Sequence, residues 1–181
     1  MRQVLSWVDP EAEEWLVDVE RISTVQVTRP LTPRDTVVVA SKNAWPLYQV
    51  LGAYVCQAGR SFRPIKYIAF YADREIKPEV AMIRRRPDNV DWTDTEVKRL
   101  LSSSAADDHR LAGIIAQSRA CGWAEGRYQV FELTNPGEAG HLTLPGPIPH
   151  LARGKGSAFT RGQRYAQHEV LKRASSTEDL Q

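Results

Sequence analysis

The sequence predicts an α+β fold, and three observations carry that prediction. A β-branched run, Thr36-Val37-Val38-Val39-Ala40, and an aromatic one, Ile65 to Tyr71, read as core strands. Thr93-Asp94-Thr95-Glu96 spells a capping box that opens a helix. The order of elements, helix, strands, helix pair, strand, helix, lacks the regular βαβ alternation of a doubly wound sheet.

Taken in order, Asp9-Pro10-Glu11 starts a helix over 9–20, with Asp9 as N-cap and Pro10 at the first helical position. Trp15, Leu16 and Val19 mark its apolar stripe, and its outer face is acidic. Ile22 to Val27 reads as a short strand before Pro30 and Pro33 break the chain. Residues 36–40 then form a strand buried on both faces. Ser41-Lys42-Asn43 turns the chain, and Asn43 is placed to cap a helix over about 44–53 that Gly52 ends or interrupts. Gln57 to Pro64 reads as a basic loop.

Tyr67-Ile68-Ala69-Phe70-Tyr71 is the strongest strand signal in the chain. Ala72-Asp73-Arg74 makes a tight turn, and the return strand, Ile76 to Ile83, runs straight into Arg84-Arg85-Arg86. Alternation sends one of Phe70 and Tyr71 inward and leaves the other available to a ligand. Helices follow over about 94–103 and 107–120, the second with Leu111, Ile114 and Ile115 as its buried stripe and Cys121-Gly122 as its end. Tyr128 to Leu133 is another strand; 135–162 is a loop rich in Gly and Pro; Arg164 to Ala174 is helical; 175–181 frays. The domains expected are therefore an acidic helical arm over 1–28, a main domain over 29–174 with a helical insertion near 94–120, and a terminal tail.

Composition, 42% hydrophobic and 25% charged, is that of a globular chain, and 181 residues suffice for a core without staples. Cys56 and Cys121 form no CxxC pair, which excludes a disulfide framework or a thiolate zinc site and makes each a small buried apolar residue. No stretch is apolar enough for a signal peptide or a bilayer span, so a cytoplasmic location is expected and a membrane is not.

The net charge of +2 is unevenly spread. Residues 1–24 carry −4, whereas 60–86 and 153–173 each carry +5. Two basic blocks meeting on one face would make a polyanion footprint; solvated apart, they would not.

The search for catalytic chemistry leaves little. Asp88 followed by Glu96-Val97-Lys98 formally matches a metal-dependent nuclease pattern, but Glu96 stands third in a capped helix rather than on a buried strand. His109, His141, His150 and His168 lack i,i+4 pairing, although His141 and His150 flank the same loop and can approach one another. Gly154-Lys155-Gly156-Ser157 lacks the upstream glycine of a P-loop and reads as a flexible basic loop. No cofactor or metal is expected, and binding is favoured over catalysis.

What remains is aromatic residues interleaved with cations: Lys42-Asn43-Ala44-Trp45, Tyr54, Phe62-Arg63, Phe70-Tyr71 and Phe159 to Tyr165. Aromatic faces stack bases, cations meet phosphates, and an amide such as Asn43 or Gln163 reads a base edge. The competing reading makes Trp45, Phe70 and Phe159 core residues beside surface charges.

The Val-rich strand, Asn43-Ala44-Trp45-Pro46, the Gly52-Ala53-Tyr54 step, Lys66 to Tyr71 and the hairpin into Glu79-Val80 together resemble the PUA-like superfamily, which includes ASCH, EVE and YTH domains. The resemblance covers about 35–85 and, more weakly, Tyr128–Leu133. It implies a small, partly closed β-barrel with packed helices and a pocket for a flipped or modified base. That pocket would lie near the end of the Thr36–Ala40 strand, using Lys42, Asn43 and Trp45 with Tyr71 nearby.

The expectation is thus a nucleic-acid-binding module, for DNA or RNA. Its expected contacts are Lys42, Asn43, Trp45, Tyr54, Arg63, Tyr71, Arg84, Arg85, Arg86, Arg153, Lys155, Arg161, Gln163 and Arg164. The alternatives are a metal-dependent nuclease and a protein-interaction or regulatory module that docks a partner through the acidic helix 9–20.

Overall fold

A computed structural model of the chain describes residues 34–154, 158–160 and 162–180. The helix expected over 9–20, the strand over 22–27, the arm over 1–28 and the site residues Lys155 and Arg161 lie outside them. The described residues form an α+β unit in which a curled mixed sheet makes a half-barrel, with four α-helices around it.

Valine-rich β1 (Thr36–Ala40) sends Val37 and Val39 to one core cluster and Val38 to another, so it is buried on both faces as its sequence predicts. It runs parallel to β3 (Tyr67–Ala72), with Val38 opposite Ala69. Along β3, Ile68 and Phe70 join Val37 and Val39, while Tyr67, Ala69 and Tyr71 face the other way. Phe70 is fully buried in the first cluster and Tyr71 packs half-buried against the second, so the pair does not divide, as expected, into one core residue and one left to a ligand.

Asp73 and Arg74 both take positive φ, 54° and 63°, which makes the tight two-residue hairpin turn. The return strand, β4 (Glu75–Arg85), pairs with β3 and shifts register near its end to meet β6 (Arg127–Leu133). That bend carries the sheet around into the half-barrel.

Helix α1 (Ala44–Leu51) ends at Gly52, whose φ of 59° and N–H bond to the Tyr48 carbonyl form the C-cap. Asn43 precedes α1 but makes no side-chain cap bond. A Cβ on Gly52 would sit 2.6 Å from Asn135 Oδ1, so Gly52→Ala adds a clash to an unfavourable φ. That variant is expected to lose about 1 kcal/mol or more of unfolding free energy, read from the urea midpoint.

Four expectations are corrected. Ala53–Gln57, left between helix and loop, is a strand, β2, that pairs antiparallel with β6. Arg164 to Ala174 is not one helix: Arg164–Ala166 is strand β9, held against β1, and only His168–Leu171 is helical (α4). Residues 177–180 do not fray but form a 3-10 turn with Thr177 and Leu180 buried. Cys56 is buried as expected, whereas Cys121 is exposed at the end of its helix.

The remaining strands are short: β5 (Val90–Asp91) on β6, and β7 (Leu142–Thr143) and β8 (Ile148–Pro149) on β4. Helices α2 (Asp94–Leu101) and α3 (Ala106–Ala120) cover Trp92, Leu100, Ile115 and Val130. Thr93 caps α2 by accepting the Glu96 N–H at 3.1 Å, but the Glu96 carboxylate turns to Arg99 instead of closing the box. Among the described residues no helix is long and apolar enough to cross a membrane.

Candidate nucleic-acid interface

The Ser41 N–H donates to the Tyr71 carbonyl and the Trp45 N–H to the Ser41 carbonyl, so the chain leaves β1 and enters α1 within four residues. Lys42 and Asn43 are thereby pushed out on an exposed turn. Beside them runs β2, an end strand of the sheet, and opposite stand Trp123, in the loop after α3, and Tyr128 of β6. Together these groups surround a hollow of about 490 Å³. Among the described residues its wall carries two cations, Lys42 and Arg60, two amides, Asn43 and Gln57, and the aromatic residues Tyr54, Trp123 and Tyr128, with no carboxylate. Lys42, Asn43 and Trp123 also border a neighbouring hollow of about 520 Å³ between α1 and α3.

Burial sets the protonation here. It pushes the Tyr54 phenol up to about 12 and the Cys56 thiol up to about 11, so both stay neutral near pH 7. The Arg60 Nη1 donates to the Tyr54 hydroxyl at 3.4 Å.

Arg60 belongs to the loop expected over 57–64, and that loop is pinned from below. Phe62 meets the edge of Phe131 at 5.1 Å, and the Arg86 guanidinium lies 4.8 Å over Phe62 and 4.7 Å over Phe131. Arg86 also donates to the Arg60 carbonyl and to Gln129 Oε1. Asp88 accepts the Gly59 N–H at 3.0 Å and the Asn89 N–H at 2.7 Å. The Gly59 bond first, then that from Asn89, holds the Asp88 carboxyl below its ordinary range, against a smaller opposing effect of desolvation. A carboxyl with a depressed folded pKa stabilises the fold above its ordinary range and loses that contribution as pH falls through the folded value. The Gly59 amide resonance is therefore expected to move upfield at acid pH, and Asp88→Asn to abolish that titration.

The predicted site divides when it is built. Lys42, Asn43 and Tyr54 come together at the first hollow. Trp45 does not join them: it packs half-buried at 5.5 Å from Phe70 and 5.7 Å from Tyr48. Tyr71 lies on the opposite face of β3, beside Phe159 at 5.2 Å. The single pocket expected from Lys42, Asn43, Trp45 and Tyr71 is therefore not assembled, because consecutive residues of β3 face opposite ways.

Nor does the arginine triplet present three free charges. Arg84 pairs with Glu138 at 2.5 Å. Arg85 reaches Glu132 at 3.2 Å, with Asp107 and Asp108 just beyond, and Arg86 is stacked as described. Glu132 is buried, and desolvation raises its pKa against the lowering pull of Arg85 and Arg110.

Arg63, Gln163 and Arg164 gather with Arg34 around a second cleft, of about 720 Å³, beside β9. Arg153 is exposed and lines neither hollow. One residue of each basic block, Arg63 and Arg164, lines this cleft. His141 and His150 take separate partners: His141 Nε2 lies 2.6 Å from Glu79 Oε2, and His150 Nδ1 lies 2.7 Å from the Thr177 hydroxyl. Among the described residues no three His, Cys, Asp or Glu side chains gather to hold a metal ion.

Trp123, Tyr128, Gln57 and Arg34 were not singled out in the sequence. An aromatic set between Gly122 and Gly126, in a loop no core pattern requires, was the available signal for Trp123. Comparison with protein-family models, curated proteins and solved structures matches this chain to none of them.

Proposed function

We propose that the chain is a nucleic-acid-binding module of PUA-like build, and that the hollow at the end of β1 receives a base. The observation that carries this reading is the composition of that hollow among the described residues: three aromatic residues, two amides and two cations, with no opposing carboxylate. Its size lies within the usual range for small-ligand pockets. The half-buried rings of Trp123 and Tyr128 offer stacking faces, Asn43 and Gln57 offer paired donor and acceptor atoms for a base edge, and Lys42 and Arg60 supply the charge for a backbone phosphate. A flipped or modified base fits such a pocket better than a base within a duplex, since its edge and face are both free.

Fluorescence anisotropy with short DNA and RNA single strands over a salt series tests the reading. Affinity should fall steeply with salt, and Lys42→Ala and Arg60→Ala should each reduce the log–log slope by about 1. Arg84→Ala should change neither, because its charge is already met by Glu138. Absent or salt-independent binding to both nucleic acids refutes the proposal.

A further inference from the structure

We infer that the cleft beside β9 is a separate binding site for a terminal phosphate monoester. Among the described residues, three guanidiniums, those of Arg34, Arg63 and Arg164, line it against one carboxylate, that of Glu178. Among the described residues none of the three is in an ion pair, in contrast to Arg84 and Arg85. All three residues are exposed, so their charge faces solvent rather than the core.

Two of them are held flat. Arg63 lies 5.0 Å over the Tyr165 ring, and Arg164 lies 5.7 Å over Phe159 while its Nε donates to the Phe159 carbonyl at 2.7 Å. Stacking fixes the plane of a guanidinium and leaves edge N–H groups for a ligand. The rings are themselves tied down. The Tyr165 hydroxyl accepts the Arg63 N–H and donates to Gln163 Oε1, and Gln163 Nε2 donates to the Ser61 carbonyl. This web joins the 57–64 loop to β9, and Arg63 and Arg164 both line the cleft.

A preorganised set of forked donors suits a compact anion of nearly two charges better than a diester, which carries one. At about 720 Å³ the cleft holds more than the phosphate, so the group arrives on a nucleotide or on a strand end. This inference stands apart from the base-binding proposal, because Lys42, Asn43 and Trp123 line the other hollow and not this cleft.

The test titrates the full chain with one oligonucleotide bearing either a 5′-phosphate or a 5′-hydroxyl, and with thymidine monophosphate against thymidine. The phosphate should tighten binding roughly tenfold or more in at least one pair, as charge-assisted bidentate bonds do. Tightening by the mononucleotide identifies a free nucleotide as the source; tightening confined to the oligonucleotide identifies a strand end; both uphold the site. Arg63→Ala with Arg164→Ala should erase the discrimination, and Arg63→Lys with Arg164→Lys should restore only part of it. Glu178→Gln should increase it. A chain that ignores the 5′-hydroxyl strand yet discriminates phosphate refutes base binding alone. No discrimination in either pair, or discrimination that survives loss of Arg63 and Arg164, overturns the inference.

Discussion

Replacing Trp92 with alanine is expected to lower the unfolding free energy by about 3–5 kcal/mol, the usual cost of emptying a buried aromatic site. Its side chain is fully enclosed and packs 4.9 Å from Tyr128 beneath α2 and α3. Its backbone is equally committed: its N–H donates to the Gly126 carbonyl, and its carbonyl accepts from Arg119 at 2.7 Å. Against a typical domain stability of about 5–15 kcal/mol, that loss leaves little reserve. Trp92→Phe should recover most of it, because the indole N–H has no partner among the described residues to lose. Urea titration of the three proteins measures the series. An alanine variant with an unshifted midpoint would mean that the α2–α3 layer lies outside the cooperative core.

Trp123→Ala should instead damage binding with little change in stability. The ring is only half-buried, set 5.4 Å from Tyr128 edge-on, and it walls the hollow that also contains Lys42 and Tyr54. Loss of one stacking partner removes about 1–3 kcal/mol of affinity for a single strand, or roughly 5- to 150-fold. Trp123→Phe should fall between the two. Wild-type anisotropy curves from the alanine variant would remove this hollow as the base site, whatever else the chain binds.

Elements specified by their own residues were readable in advance. The valines of β1, the aromatics of β3, the turn at Asp73 and Arg74 and the Thr93 cap are all local signals, and each appears where the sequence places it. β2 escaped because Ala53-Tyr54-Val55-Cys56 is buried throughout and follows a helix without a polar break, so no period of two separates it. β9 escaped because what makes Arg164-Tyr165-Ala166 extended is a ladder to residues 36–38, and propensity alone leaves that stretch helical.

The site was legible to the same degree. Lys42, Asn43 and Tyr54 converge because one short turn and one edge strand carry them. Arg84 and Arg85 looked like a phosphate contact only because the acids that neutralise them, Glu138 and Glu132, are remote in sequence. Charge counted along a chain does not reveal which charges the fold has already matched.

The placement of β1 has a consequence for how the chain is made. Both of its neighbours, β3 and β9, are translated after it, and the Asp35 carboxylate waits for the His168 N–H across 133 residues. On the ribosome, valine-rich β1 therefore stays open along one side until nearly the whole described chain has emerged. An unpaired valine edge is a template for pairing with other nascent chains. Slow elongation past residue 100 should thus cost yield to aggregation well before it costs affinity in the molecules that complete the ladder, and truncation before residue 164, which removes β9, should leave that edge open.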